Sequence, residues 1–275
     1  MRLGADIKFP FTGPKDWAEK LKNWGFDAAV WPFHQPVDPR TEDAFKNAAL
    51  EADLVIAEVG VWCNPLLPDK ELRKEKIDKI CGGLALADRV GAGCCVSVAG
   101  SRGESWFGWH PQDLSEDTFQ LAAETIRIIV DEVQPKHTWY AVETMPWMIP
   151  DSPDSYLRLL SAVNRERFAV HLDPVNMISS PRRYFESTAF LKECFEKLGP
   201  RVKSCHAKDT IMEKTLTAHL REVPPGEGSL DYKTYITLAE SYDREMPFIM
   251  EHLQPDEIKA AADHIRRESA RTKER

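Results

Sequence analysis

Four polar side chains each close an apolar run of strand-like composition. Glu143 ends Trp139-Tyr-Ala-Val-Glu, Asp173 ends Phe168-Ala-Val-His-Leu-Asp, His206 ends Val202-Lys-Ser-Cys-His, and Glu251 ends Met246-Pro-Phe-Ile-Met-Glu. If these runs are parallel strands of one barrel, their ends converge at one mouth and residues far apart in sequence share a site. Two glutamates, an aspartate and a histidine suit a divalent cation that takes oxygen and imidazole ligands. Mn²⁺ or Mg²⁺ fits the oxygen-rich set best, and Co²⁺ or Zn²⁺ is also admitted. The set lacks the cysteines of a closed structural zinc site. Such a mouth is also a natural place for two opposed carboxylates to move protons.

Further polar residues cluster near these ends. His171 lies two residues before Asp173 and faces the same side of its strand. It reads either as a satisfied core histidine or as a group that supports the ligands, and it is taken among the substrate contacts. Lys208 shares a face with His206 in Cys205-His-Ala-Lys-Asp209; it could polarise a substrate hydroxyl or phosphate, or simply pair with Asp209. Trp31, His34, Trp62, Trp106, Trp109, His110 and Trp147 fall around the expected mouth, where aromatic faces suit the C–H surfaces of sugars and exclude water. Loop packing is the alternative for them, and Trp109 is taken as a substrate contact. Arg182, Arg183 and Arg221 could take an anionic group. Arg221, just before a Pro-Pro-Gly turn, is the best placed.

Positioning these residues requires repeated strand–helix units, and short apolar runs alternate with amphipathic segments along the whole chain. Strands are predicted at Leu3–Phe9, Ala28–Trp31, Leu54–Glu58, Cys94–Ala99, Thr138–Glu143, Phe168–Asp173, Val202–His206 and Met246–Glu251. Helices are predicted at Pro14–Trp24, Thr41–Ala52 with Thr41 as cap, Asp69–Val90, Ser115–Val133, Ser152–Val163, Glu186–Leu198 and Asp231–Ser241, and from about Pro255 onward. The segment Thr210–Gly228 reads as a long loop covering part of the mouth and bringing Arg221 to the substrate. Eight such units predict a single (β/α)8 TIM barrel over residues 1–275, with a doubly wound open sheet as the weaker alternative.

Composition narrows the classes. The 275 residues are 43% hydrophobic with a mean hydropathy of −0.42, which fits a globular protein with a sizeable core. No apolar run approaches the roughly 18–20 residues of a membrane span, and the N-terminus lacks a signal-peptide core, so a cytoplasmic protein without a membrane partner is expected. The six cysteines lack CxxC spacing and read as free core thiols. With 36 basic and 44 acidic residues the net charge is −8, a balance that repels a phosphate backbone and makes nucleic acid a poor partner. The basic tail Arg266–Arg275 reads as a solvated helix end. A homo-oligomer is left open.

The chain resembles the xylose isomerase-like TIM-barrel superfamily, the sugar phosphate isomerase/epimerase group. The resemblance rests on Glu143, Leu172-Asp-Pro-Val-Asn176, His206-Ala-Lys-Asp209, Pro225-Gly-Glu-Gly-Ser-Leu-Asp-Tyr232 and Ile249-Met-Glu251, and it covers nearly the whole chain. It implies one catalytic metal held by Glu143, Asp173, His206 and Glu251, with the two glutamates as the acid/base pair of a ketose epimerase. Asn176 stands where epimerases usually place a histidine and is taken as a substrate contact. Thr144–Ile149 lacks a further acidic residue that epimerases carry. The segments Val59–Trp62 and Gly100–Gly103 lack the histidines of the endonuclease members, and the HxKD form of the seventh strand is similar to that of inosose dehydratases. The expected activity is isomerisation or epimerisation of a keto-sugar or related polyol through an enediolate. A lyase that expels water from a keto-polyol is the alternative, followed by an endonuclease-type hydrolase and a barrel that binds sugar without turnover.

Overall fold

Strands rich in Val, Ile, Ala and Cys that are buried on both faces require helices on one side and a packed interior on the other. The computed structural model describes residues 1–273; Glu274 and Arg275, at the end of the basic tail, lie outside the described residues. The chain begins β1 (Arg2–Ala5), α1 (Pro14–Asn23), β2 (Ala28–Val30), α2 (Pro39–Glu51), β3 (Val55–Gly60), α3 (Lys70–Val90), β4 (Cys94–Val98) and α4 (Glu116–Val133). It continues with β5 (Trp139–Glu143), α5 (Pro153–Val163), β6 (Phe168–Leu172), the short α6 (Pro174–Met177) and α7 (Pro181–Phe185), α8 (Ser187–Leu198) and β7 (Val202–Ala207). A hairpin of β8 (Asp209–Glu213) and β9 (His219–Val223) follows, then α9 (Tyr232–Tyr242), β10 (Pro247–Met250) and α10 (Ile258–Lys273).

Eight strands pair in the order β1-β10-β7-β6-β5-β4-β3-β2, each pair parallel. The ends of this sheet meet where the Asp27 N–H donates to the Leu3 carbonyl at 2.8 Å. A Cβ at Gly4 would collide with the Ala28 carbonyl, so the close approach of β1 to β2 needs glycine at that position. The result is a nearly closed barrel ringed by helices, a single (β/α)8 TIM barrel. Small interior residues, among them Ala28, Ala57, Cys94, Val96 and Ala141, fill its floor, and Trp17, Ile80, Leu84, Ile126, Tyr156 and Phe195 pack the helices against its outside. All six cysteines are free and buried. No helix among the described residues is long and apolar enough to cross a membrane.

Three local expectations are corrected. The cap of α2 is Asp38, whose carboxylate accepts from the N–H groups of Arg40 and Thr41; Thr41 instead lies inside the first turn and donates its hydroxyl to Asp38 at 2.6 Å. The final helix starts at Ile258, after a turn that includes Pro255. The Thr210–Gly228 segment is built largely on the antiparallel hairpin, in which Ile211 faces Arg221 and Met212 faces Leu220.

Asp209 ties that hairpin down. Its carboxylate accepts from the N–H groups of Thr210 (2.8 Å), Gly226 (3.0 Å), Gly228 (3.1 Å) and Leu230 (2.9 Å), and no ion pair joins it to Lys208 among the described residues. Asp209→Ala orphans these donors, several of them buried, and is expected to cost about 3 kcal/mol or more. Denaturant titration checks this; a loss below about 1 kcal/mol would mean that water replaces the carboxylate without penalty.

Candidate active site

Parallel packing brings the four strand-closing residues together. Glu143 is the last residue of β5, Asp173 follows β6, His206 lies near the end of β7, and Glu251 follows β10; all four are buried. His206 Nδ1 lies 2.8 Å from Glu143 Oε1, 3.0 Å from Glu251 Oε1 and 3.7 Å from Asp173 Oδ2. One donor atom from each residue falls within 4.8 Å of every other. Trans ligands of a small divalent ion with bonds of about 2.1 Å would be about 4.2 Å apart, so the donor set is of the right span.

Local sequence explains the orientation of Asp173. Pro174 takes the first position of α6, and Asp173 caps that helix by accepting the Asn176 N–H on Oδ1 at 3.1 Å. This leaves Oδ2 turned into the cluster. Asp173 Oδ2 and Glu251 Oε1 are buried, and both face His206 Nδ1 and the Lys208 ammonium. Asn176 closes the side of the site, its amide donating to the Thr144 carbonyl at 2.9 Å and to Glu143 Oε1 at 3.2 Å. Tyr235 and Tyr232 sit behind, their hydroxyls donating to the carbonyls of His206 and Lys208 at 3.1 and 2.8 Å.

Lys208 is the resident cation. Its ammonium lies 2.8 Å from Asp173 Oδ2, touches Glu251 Oε1, and stands 3.8 Å from Glu143 Oε1 and 3.5 Å from Glu222 Oε2. Lys208 is thus ion-paired in the buried site with Asp173 and Glu251. With His206 neutral, as a metal ligand must be, the carboxylates of Glu143, Asp173 and Glu251 against this one ammonium carry a net charge of −2, which a divalent ion would cancel. The residues therefore fit such an ion in charge, donor type and span.

The electrostatics separate the two glutamates. Burial pushes the Glu143 carboxyl up, and the neighbouring Glu251 charge adds to the effect. For Glu251, burial acts the same way but is outweighed by His206 and Lys208, which hold its carboxyl down at about 2. Asp173 is likewise held below the usual carboxylate range: burial opposes ionisation, and Lys208 and His206 overcome it. Burial disfavours charge on His206 and Lys208, yet the surrounding carboxylates hold both above their ordinary values.

Below this layer, Glu58 on β3 is buried inside the barrel. Its Oε1 lies 3.0 Å from His171 Nε2 and accepts the Ser204 hydroxyl, and its Oε2 lies 3.6 Å from His206 Nε2. The His171 ring packs edge-on against His206 with centroids 4.1 Å apart. His171 thus belongs to the layer supporting His206 and does not line the cavity.

The cavity above the cluster has a volume of about 720 Å³ and is lined by Glu143, Asn176, Lys208 and Glu251 together with Asp6, Trp62, Trp106, Phe107, Trp147, Leu220, Glu222 and His252. Three expected substrate contacts are not brought to it: His171, in the layer below, Trp109 and Arg221. Trp109 is 73% exposed on the loop surface. Arg221 alternates with Leu220 and Glu222 on β9 and so faces away, pairing with Glu213 at 3.0 Å. Arg182 pairs with Glu186, and Arg183 donates to the Met177 carbonyl. Trp31 packs with Phe33 and Phe45, His34 lines a separate 230 Å³ hollow, and the His110 ring accepts the Gln112 N–H. Exposed ion pairs such as Arg221–Glu213 contribute about 1 kcal/mol at most. Arg221→Ala is therefore expected to leave KM and kcat/KM near those of the parent; a KM raised tenfold in steady-state kinetics would put Arg221 back at the substrate.

Glu58, Asp6, Glu222 and His252 were not singled out from sequence. His252 adopts a left-handed φ of 59°, which turns its ring toward Glu222, with Nδ1 2.9 Å from Oε1. A carboxylate inside the apolar run Leu54–Val61 was the available signal for Glu58, since a buried charge needs partners.

A parallel (β/α)8 barrel with a Glu/Asp/His/Glu cluster at its carboxyl mouth defines a class of metal-site barrels. Within it, the chain matches the family described as xylose isomerase-like TIM barrel over residues 18–268 and belongs to that family. Comparison with curated proteins gives no match. Among solved structures the chain is similar to a xylose isomerase-like TIM barrel protein from Mycobacterium smegmatis in complex with magnesium (16% identity, 94% of this chain and 88% of that one, TM-score 0.68). It is also similar to a D-psicose 3-epimerase with D-tagatose from Clostridium cellulolyticum (13%, 97% and 99%, 0.68) and to endonuclease IV from Thermus thermophilus (14%, 98% and 100%, 0.74). At these identities the likeness is one of fold, and this fold serves more than one reaction.

Proposed function

We propose that the protein is a metal-dependent enzyme that isomerises or epimerises a keto-sugar or related polyol. The observation that carries this reading is the convergence of Glu143, Asp173, His206 and Glu251 at the floor of a cavity. The magnesium-bound relative and the sugar epimerase of the same fold support it. Mn²⁺ is the favoured ion, with Mg²⁺, Co²⁺ and Zn²⁺ as the other members of the group. Held by these four residues, it would act as a Lewis acid on adjacent carbonyl and hydroxyl oxygens of the substrate.

Glu143 and Glu251 stand three strands apart around the barrel, so they reach a substrate carbon from different directions. One removes the proton next to the carbonyl, and the other returns a proton to the opposite face. Asn176 holds Glu143 through its amide, and Lys208 supplies a donor for the substrate oxygen on which charge develops. The cavity walls exclude water from that carbon.

Lys208 also favours a second reading, elimination. Its ammonium among the same carboxylates could protonate a departing β-hydroxyl, so that the carbon-bound proton goes to a glutamate, the C–O bond breaks and water leaves. A sugar and inositol panel run with Mn²⁺ in D₂O and read by NMR separates the two. Deuterium at a stereocentre marks epimerisation, and a lost hydroxyl with a new carbonyl marks elimination. If no member of the panel exchanges a carbon-bound proton, the reading is wrong.

Glu58 enters this reading through His206. A carboxylate behind a metal-ligating histidine orients the ring and raises its basicity, and loss of such a partner typically weakens metal binding by about 10–100-fold. Glu58→Gln is expected to fall in that range by Mn²⁺ titration, with its circular dichroism unchanged. Parent-like affinity would restrict Glu58 to core packing.

A further inference from the structure

The cavity has two chemically different parts. One is the carboxylate cluster. The other is a continuous run of four aromatic rings from three separate loops. Trp62 stacks on Trp106 with centroids 6.0 Å apart and planes 29° apart, Trp106 meets Phe107 edge-on at 5.5 Å, and Phe107 meets Trp147 edge-on at 5.9 Å. Met145 and Met148 pack behind Trp62 and Trp147. Trp106 and Phe107 remain 37% and 57% exposed at the rim, an arrangement that leaves apolar surface in water until something covers it. A volume of about 720 Å³ lies within the roughly 300–1,000 Å³ that accommodates ligands of drug size, and a monosaccharide on the carboxylates would leave most of it to water.

Charge restricts the occupant further. The lining carries Asp6, Glu143, Glu222 and Glu251, and its cations are Lys208 and His252. Both are already committed, Lys208 to Asp173, Glu251 and Glu222 and His252 to Glu222. No arginine lines the cavity among the described residues. Beyond the ion that the cluster would hold, a phosphate dianion would meet Asp6 and Glu222 and, among the described residues, no uncommitted cationic side chain.

We infer that the substrate is an uncharged, non-phosphorylated sugar or polyol bearing an aryl or similarly flat apolar substituent, its polar end on the carboxylate cluster and its substituent against Trp62, Trp106, Phe107 and Trp147. The inference rests on the reading above and narrows it. Flat apolar groups gain both burial and edge-to-face contacts on such a surface, while C–H faces of the sugar continue the same contact toward the cluster.

Binding to the Mn²⁺-loaded full chain, measured by calorimetry, tests it. The probes are methyl and phenyl β-D-glucopyranoside, methyl and phenyl β-D-galactopyranoside, and glucose 6-phosphate. At least one phenyl glycoside is expected to bind about tenfold or more tightly than its methyl counterpart, and glucose 6-phosphate more weakly than either. The phenyl-to-methyl affinity ratio is expected to fall toward one in the Trp106→Ala/Phe107→Ala double variant. A ratio near one in the parent, a ratio that survives the double substitution, or tightest binding of glucose 6-phosphate overturns the inference. If the double variant changes the oligomeric state in sedimentation and keeps the parent ratio, the rim is a contact between copies and the inference fails. If no glycoside binds while the D₂O panel identifies a free sugar as substrate, the aromatic subsite is overturned and the proposed reaction stands. If that panel is empty too, both fall.

Discussion

Glu143→Gln and Glu251→Gln are each expected to lower turnover of the true substrate by about 10²-fold or more, the scale of lost general acid–base catalysis. Glutamine keeps the size of glutamate and one oxygen donor but removes the basic carboxylate, so the substitution probes proton transfer more than packing. The surroundings of the two residues make their effects distinguishable. Without the ion, His206 and Lys208 hold the Glu251 carboxyl down, whereas burial pushes that of Glu143 up. Glu251→Gln is expected to stop exchange of the carbon-bound proton with D₂O. Glu143→Gln is expected to retain some exchange on one face without inversion. Metal-loaded variants that both turn over substrate at parent rates would show that the glutamates serve only to hold the ion.

Much of this site is written in the strand ends. A parallel strand buried on both faces reads as an apolar run, so a carboxylate or imidazole that stops the run marks the barrel mouth, and Glu143, Asp173, His206 and Glu251 could each be placed from one strand alone. What cannot be placed that way depends on contacts between strands. Glu58 has meaning only because β3 brings it against His171 and His206, more than 100 residues away. The expected strand stopped at Glu58, whereas β3 continues to Gly60, which turns an apparent loop carboxylate into an interior one. Arg221 failed for a related reason. Asp209–Glu213 and His219–Val223 are mostly polar on both faces, so no apolar alternation announces a hairpin, and without it the direction of Arg221 was undefined. Once β9 exists, period-two alternation sends Leu220 and Glu222 to the cavity and Arg221 away from it. The aromatic wall is intermediate: Trp62, Trp106 and Trp147 were legible as loop tryptophans and Phe107 was not singled out, and which rings face the cavity depended on the packing of three loops.

One divalent ion per chain is expected on metal analysis after gentle purification, and His206→Ala is expected to lose it. The imidazole is the only nitrogen donor of the cluster, and its Nδ1 sits within 3.7 Å of all three carboxylates. Removing it opens one side of the site and leaves Lys208, already against Asp173 and Glu251, as the cation among the acids. The affinity loss should exceed the roughly 10–100-fold that follows removal of a partner behind a ligand. Chelation of the parent should act on folding as well as on activity, because an ion that binds only the folded chain stabilises it by about 2.7 kcal/mol at a hundred times its dissociation constant. The parent is therefore expected to melt at a lower temperature after chelation and to recover when Mn²⁺ is restored, while His206→Ala shows little response to either treatment. A folded His206→Ala protein with parent metal content and the parent's melting response would remove His206 from the ligand set.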